Sequence, residues 1–231
     1  EIIPYLPKSK RGFQIKSDLA ELVNSILYKL KTGVHRHLLP VNSLFSTIIP
    51  SYKTVFSHYN NWSKKGIWKK CWTHILSKHK SKLDLSSADL DGSQTKALRG
   101  GEEVAYQGRK KAKTTNAVYL TDRQGLILAM SKPISGNHHD IFDIETSFQD
   151  IIEQVEGAKI NIEGLFMNAD AGFDSDNFRQ ICQSKGIIAN IALSKNRENM
   201  DNDIFLDDLF IQRKICDRKK QCLVRLFSFR A

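Results

Sequence analysis

Leu165-Phe166-Met167-Asn168-Ala169-Asp170-Ala171-Gly172-Phe173-Asp174-Ser175, followed by a helix-patterned stretch to Ser184, Gly186 and the run Ile187-Ile188-Ala189-Asn190-Ile191-Ala192, decides how this 231-residue chain is read. A short apolar run ending in a carboxylate, a helical stretch closed by glycine and a second apolar run form a strand-helix-strand unit, the repeating element of α/β sheets. Further upstream, Ser87-Ala88-Asp89-Leu90-Asp91 has the same form: a strand ending in a carboxylate, followed by Gly92-Ser93. A glycine- and lysine-rich loop comes next, from Gly100-Gly101 to Gly108-Arg109-Lys110-Lys111. Asn116–Leu120 and Leu126–Ser131 then flank Thr121-Asp122-Arg123-Gln124-Gly125, a hairpin signal, and Ile144 to Val155 has helical spacing.

Before residue 84 the periodic stretches have helical spacing. Pro4-Tyr5-Leu6-Pro7 reads as extended, and Lys8-Ser9-Lys10-Arg11-Gly12 as a basic loop. Leu19, Leu22, Val23, Ile26, Leu27 and Leu30 recur at three and four, with Ser17 as N-cap and Gly33 as the stop, which predicts a helix near 18–31. Pro50-Ser51 opens a second helix near 51–64, ended by Gly66, and a third runs from Ile67 to about Ser77. Short helices separated by tight glycine turns suit a helix-turn-helix-like arrangement as well as any small helical bundle.

Charge is concentrated in the same region. Residues 1–80 carry 14 Lys/Arg against three acids, a net charge of +11, whereas residues 81–231 hold 21 bases and 22 acids. A positive surplus of that size attracts polyanions, because each base that neutralises a phosphate releases condensed counterions. The bases are interleaved with Tyr52, Phe56, Tyr59, Trp62, Trp68 and Trp72, a folded module's pattern rather than a loose tail's, and the aromatic positions read as core. With 41% hydrophobic and 26% charged residues, the composition excludes a disordered, collagenous or disulfide-framework chain. No apolar run reaches the roughly 18 residues a membrane span needs. Cys71, Cys182, Cys216 and Cys222 form no CxxC pair, so free thiols are expected and a zinc site is not. Glu1-Ile2-Ile3-Pro4 has neither initiator Met nor leader, from which a cytosolic protein lacking its first residues is expected.

The strand-end acids are the chemical signal. The carboxyl edge of an open α/β sheet is where ligands bind. Either aspartate alone reads more readily as a turn or cap residue. Together Asp91 and Asp170 have the character of a hard-cation site. Two such ions about 4 Å apart can activate water or a DNA 3′-hydroxyl and stabilise the leaving oxygen of an in-line displacement. Competing signatures are absent: no GxSxG elbow, HExxH or GxxxxGK[ST] occurs. His138-His139-Asp140 reads as a capping loop, because adjacent side chains do not converge on one ion.

Four stretches resemble the DDE-class transposases of bacterial insertion sequences. They are Leu6–Gly12 with Glu21–Gly33; Tyr52-Lys53-Thr54-Val55-Phe56 with Trp62–Trp68; Asp91-Gly92-Ser93 with Gly136-Asn137-His138-His139-Asp140; and Ala169–Ser175. The resemblance implies an α/β fold with an RNase H-like mixed-sheet core (residues 81–231, incomplete at the C-terminus) preceded by a small all-helical DNA-binding domain (residues 1–80). It implies cleavage and strand transfer of transposon-end DNA with two Mg2+ ions, for which Mn2+ substitutes, by a homodimer on double-stranded DNA at the bacterial nucleoid. Asp91 and Asp170 take the places of the first two acids of the triad. The third, in the form Tyr-x-x-Arg-x-x-x-Glu, meets Phe210-Ile211-Gln212-Arg213-Lys214-Ile215-Cys216-Asp217, so Arg213 matches and Asp217 stands for glutamate. Expected DNA contacts are Lys53, Lys64, Lys65, Lys69, Lys70, Arg109, Lys110, Lys111 and Arg213. The alternative is a decayed, inactive fragment that only binds DNA.

The tail departs from the family. Gln221-Cys222-Leu223-Val224-Arg225 can be encoded as CAA-TGC-TTG-GTT-AGA, which read one base over gives Asn-Ala-Trp-Leu-Asp when the next base is C or T, the family's sequence after its glutamate. Lys219-Lys220 offers an A-rich slip site, and the final residues are read as out of frame. The gene's nucleotide sequence should contain a family-like continuation in a neighbouring frame after Asp217; its absence ends the idea.

Overall fold

The computed structural model describes residues 2–7, 15–97, 103–139, 141–194 and 206. The chain divides into two compact units between Ile75 and Leu76.

The first unit is helical. α1 (Leu19–Thr32) starts at Asp18, whose Oδ1 accepts the Ala20 and Glu21 amides at 2.8 and 2.9 Å, and ends at Gly33 with φ 72°. The expected cap, Ser17, lies one residue too early; Asp18 caps equally well and adds a negative charge at the positive end of the helix dipole. A single turn, α2 (Val41–Leu44), leads to α3 (Tyr52–Lys64), where Ser51 Oγ accepts the Thr54 amide at 3.2 Å. Gly66, at φ 65°, turns the chain into α4 (Ile67–Lys78). Leu22, Val23, Ile26 and Leu30 of α1 pack with Val55, Tyr59 and Trp62 of α3 and with Trp68. Trp62 meets Trp68 edge-on at 5.7 Å and Tyr59 lies 6.1 Å from Trp68, so these rings build the core as the spacing predicts. Pro4 does not extend the chain: Ile3–Tyr5 form a 3-10 turn, for whose first positions the fixed φ of proline is suited.

Among the described residues the second unit is a mixed sheet with the helices Ile144–Gly157 and Asp176–Ser184 packed in it. Its strands are β1 (Ala88–Lys96), β2 (Ala105–Gln107), β3 (Ala112–Asp122), β4 (Ile127–Met130), β5 (Ile134–Ser135), β6 (Phe166–Ala169) and β7 (Ile188–Ile191). They run in the order β2-β3-β1-β6-β7, with β4 and β5 also paired to β3. β1 is antiparallel to β3 and parallel to β6, and β6 is parallel to β7. α5 (Ile144–Gly157) precedes β6, and α6 (Asp176–Ser184) joins β6 to β7. Antiparallel strands continued by two parallel ones, with a helix before each, are the connectivity of an RNase H-like core. Leu90, Val118, Leu120, Phe148, Ile151, Met167 and Phe178 are all but fully buried.

Two expectations about the sheet need correction. β1 does not end at Asp91 but runs on to Lys96, paired with β3 at nine consecutive positions, and β3 begins at Ala112 rather than Asn116. Polar residues after Asp91 mask the strand in sequence, yet a long partner strand supplies the backbone hydrogen bonds whatever the side chains. The supposed loop also contributes β2 and its turn. The β3–β4 hairpin forms as predicted, with Gly125 at φ 81° and Asp122 Oδ1 accepting the Leu126 amide at 2.8 Å.

Candidate active site

The parallel register brings the two aspartates together. Ala88, Asp89 and Leu90 lie beside Met167, Asn168 and Ala169, and the next step sets Asp91 beside Asp170. Asp170 follows the last residue of β6 but stays extended, at φ −79° and ψ 172°, so the strand alternation carries through it. Adjacent strands are about 4.8 Å apart and side chains alternate faces, so both carboxylates leave the same face one strand spacing apart. Both residues are half-buried. Across the antiparallel pair Asp91 faces Tyr119, whose phenol is pushed well above its ordinary value by burial and is therefore neutral.

The turn after β6 is built residue by residue. Asp170 Oδ1 accepts the Gly172 amide at 3.0 Å, so the capping role read for a lone aspartate is real here. A side chain at Gly172 would put its Cβ 3.0 Å from that same oxygen, which explains the glycine. Phe173 is fully buried against Phe178, which meets Phe148 of α5 edge-on at 5.1 Å. Asp174, its side chain wholly buried, accepts from Arg179 Nε and Nη2 at 3.1 and 3.0 Å and from the Ser194 amide at 2.8 Å. Arg179 also donates to the Ile191 carbonyl at 3.1 Å, and Ser175 caps α6 through the Phe178 amide. The motif Ala169–Ser175 is thus a rigid turn that presents Asp170.

A carboxylate offers about four lone-pair positions, and the Gly172 amide takes one of those on Asp170 and orients it. Hard oxygen donors in this pairing fit a divalent cation such as Mg2+. Among the described residues no group of three or more His, Cys, Asp or Glu gathers where it could hold a metal ion. Asp217 and Arg213 lie outside the described residues. His138 stacks on Phe142 at 3.7 Å, in keeping with a loop role. Cys71 and Cys182 are buried free thiols, and burial pushes Cys182 up to about 12.

The candidate DNA-binding bases among the described residues are exposed. Lys53 and Lys64 stand three helical turns apart on one side of α3, and Lys65, Lys69 and Lys70 flank the Gly66 turn. His58 is held below its ordinary value by burial, so it adds no positive charge at neutral pH. Arg109, Lys110 and Lys111 form the tip of the β2–β3 hairpin, with Lys111 at φ 47°, and Lys110 Nζ donates to the Gln94 carbonyl of β1 at 3.3 Å. Sequence reasoning missed Asp89, Asn168 and Asn190, a buried polar row beneath the aspartates, and the Asp174–Arg179 clamp. An Asp and an Arg spaced five apart across a helix start are the only signal of the clamp that the sequence offers.

The profile of the family described as "Putative transposase of IS4/5 family" matches residues 1–72. Among curated proteins none is similar at a significant level. Among solved structures, the chain is similar to the Mos1 strand transfer complex at 9% identity, covering 97% of this chain and 83% of that one, with a TM-score of 0.34. It is similar to the Mos1 transposase paired-end complex with the left transposon end at 9% identity, 96% and 83% coverage, with a TM-score of 0.33. The Mos1 mariner paired-end complex with Mn gives 10%, 96% and 83%, with a TM-score of 0.32. Likenesses this weak transfer neither a fold nor an activity. No helix among the described residues is long and apolar enough to cross a membrane.

Removing one partner of a largely buried ion pair strands the other. Asp174→Ala should therefore destabilise the second unit by about 3 kcal/mol, read from urea unfolding, with Asp174→Leu/Arg179→Met recovering part of that stability. An unchanged midpoint for Asp174→Ala would show that the clamp carries no weight.

Proposed function

We propose that the chain is a DNA transposase of an insertion sequence, which cleaves transposon ends and joins them to target DNA with divalent metal ions. The observation that carries this reading is the side-by-side setting of Asp91 and Asp170 on one face of a mixed sheet. The match of residues 1–72 to a transposase family profile supports it independently. The helical unit grips double-stranded DNA through Lys53, Lys64, Lys65, Lys69 and Lys70, and the sheet unit carries the chemistry. Asp91 and Asp170 would hold two Mg2+ ions, which Mn2+ could replace, with Asp217 as the third carboxylate. Such ions, when bound, polarise the attacking and leaving oxygens of an in-line phosphoryl displacement.

The remaining work falls to the chain's own residues. The Gly172 amide fixes the rotamer of Asp170, and Phe173 and the Asp174–Arg179 pair keep its turn from moving. Asp91, inside a strand paired on both sides, is held by the sheet itself. Arg109, Lys110 and Lys111 hold the scissile strand from the hairpin tip, and Arg213 meets a phosphate. The protein acts as a homodimer at the bacterial nucleoid, binding ends and target in turn. A second reading, DNA binding without cleavage, is favoured by one feature, the aspartate at position 217 where the family pattern has glutamate, one methylene short in reach.

Two experiments test the proposal. Purified protein with Mg2+ or Mn2+ should nick DNA containing the element's ends, and Asp91→Ala should abolish nicking while leaving binding intact; nicking that survives the substitution refutes the site. Binding with no nicking by the unaltered chain selects the second reading. Neutralising Lys64, Lys65, Lys69 and Lys70 together should flatten the slope of log affinity against log salt by about 0.9 for each phosphate that the variant leaves unneutralised. An unchanged slope means that the gripping surface lies elsewhere.

A further inference from the structure

Asp89, Asn168 and Asn190 sit side by side on three neighbouring parallel strands, exposed by only 3%, 1% and 3%. Asn168 Nδ2 donates to Asp89 Oδ1 at 3.0 Å, and Asn190 Nδ2 donates to Asn168 Oδ1 at 2.9 Å. At the outer end the Asn190 amide clasps the backbone of Leu206, accepting its N–H at 2.9 Å and donating to its carbonyl at 3.3 Å. By strand alternation the row shares a face with Asp91 and Asp170, which follow Asp89 and Asn168 by two residues each.

We propose that this buried ladder is a register key, which makes Asp91 and Asp170 neighbours; the inference rests on the metal-site reading above. The parallel pairing of β1 with β6 spans only three residue pairs, and that of β6 with β7 only four. So few backbone bonds discriminate poorly between alternative pairings. Slipping by one residue turns a whole strand face over. A slip of two keeps the faces but shifts Asp170 along Asp91 by about 6.6 Å, too far for one cation to bridge them. The side chains penalise that slip. Asp89 would then face either Phe166 or Asp170, and Asn168 would face Ile188 or Ala192. In each case a buried polar group is left without its partner or a carboxylate meets a carboxylate, both costly in a dry interior. Only the observed register satisfies every member. A buried asparagine fixes alignment in coiled coils by the same physics. Asp89, Asn168 and Asn190 are therefore positioning residues rather than ligands.

The test reads register and metal separately, on the full chain. In an Asp91→Cys/Asp170→Cys chain the two sulfurs replace the paired carboxylates, at a strand spacing that a disulfide can span. Mild oxidation should link them, as mapped by peptide analysis. Adding Asn168→Ala should slow that link at least tenfold. Adding instead the exchange Asp89→Asn/Asn168→Asp, in which position 89 becomes the donor to position 168 while Asn190 still donates to it, keeps both hydrogen bonds and should restore the link. Mn2+ titration by electron paramagnetic resonance, with the aspartates intact, should follow the same order, with affinity falling about tenfold for Asn168→Ala and recovering in the exchange. Linking at full rate in the Asn168→Ala chain overturns the proposal, as does a folded exchange chain that fails to link. If Asn168→Ala does not fold, the exchange chain still decides. Ladder-dependent linking in a protein that binds no Mn2+ would keep the register key and discard the metal site.

Discussion

Everything in the second unit depends on the parallel contact between β1 and β6. It joins two carboxylates that the sequence holds 79 residues apart, through a backbone pairing only three residues long. Each side of that contact is braced by something stronger than itself. β1 is tied along nine positions to β3, the longest strand, whose other edge is taken in turn by β2, β5 and β4. β6 is braced at its end, where Phe173 enters the aromatic cluster of α5 and α6 and Asp174 ties the turn to Arg179 and the exit of β7. A short joint between two rigid supports concentrates positional precision at the two aspartates.

Much of this is legible in the sequence because the signals are local. Leu165–Ala169 reads as a strand because it is short, apolar and bounded, and Ser175 announces α6 because a serine before a helical run satisfies an exposed amide. The β3–β4 hairpin declares itself through Gly125. What sequence cannot reveal are the features that exist only through distant partners. The second half of β1 is polar and becomes a strand because β3 lies alongside. Asn168 and Asn190 look like interruptions of apolar runs until the sheet sets them next to each other and to Asp89. Asp91 reads as a strand end, and its neighbour relation to Asp170 requires the register.

In the first unit the same division between interior and surface separates stability from charge. Tyr59, Trp62 and Trp68 fill the space between helices, and burial pushes the Tyr59 phenol up to about 12, so the ring stays neutral. The bases that share those helices point outward. Arg36, in the 3-10 turn Arg36–Leu38, turns to the aromatic side, its guanidinium 3.6 Å over the Phe56 ring, a cation–π contact that lets an arginine cover apolar surface without losing its charge. A surplus of +11 on so small a body repels itself. The aromatic core offsets that repulsion, and a polyanion laid against the exposed lysines relieves it.

Asp170 shows why capping and cation binding do not compete. A carboxylate on a flexible side chain loses rotamer freedom when it takes a metal, and that cost weakens the site. Here the Gly172 amide has already claimed one oxygen, and the turn is locked on both sides by Phe173 and Asp174. The ordering is complete on folding, and the direction of the group is set. The glycine that donates the bond is also the residue that leaves room for it. A structural cap thus sets the direction of the strand-end carboxylate, which is the preorganisation that the metal role proposed for Asp170 calls for.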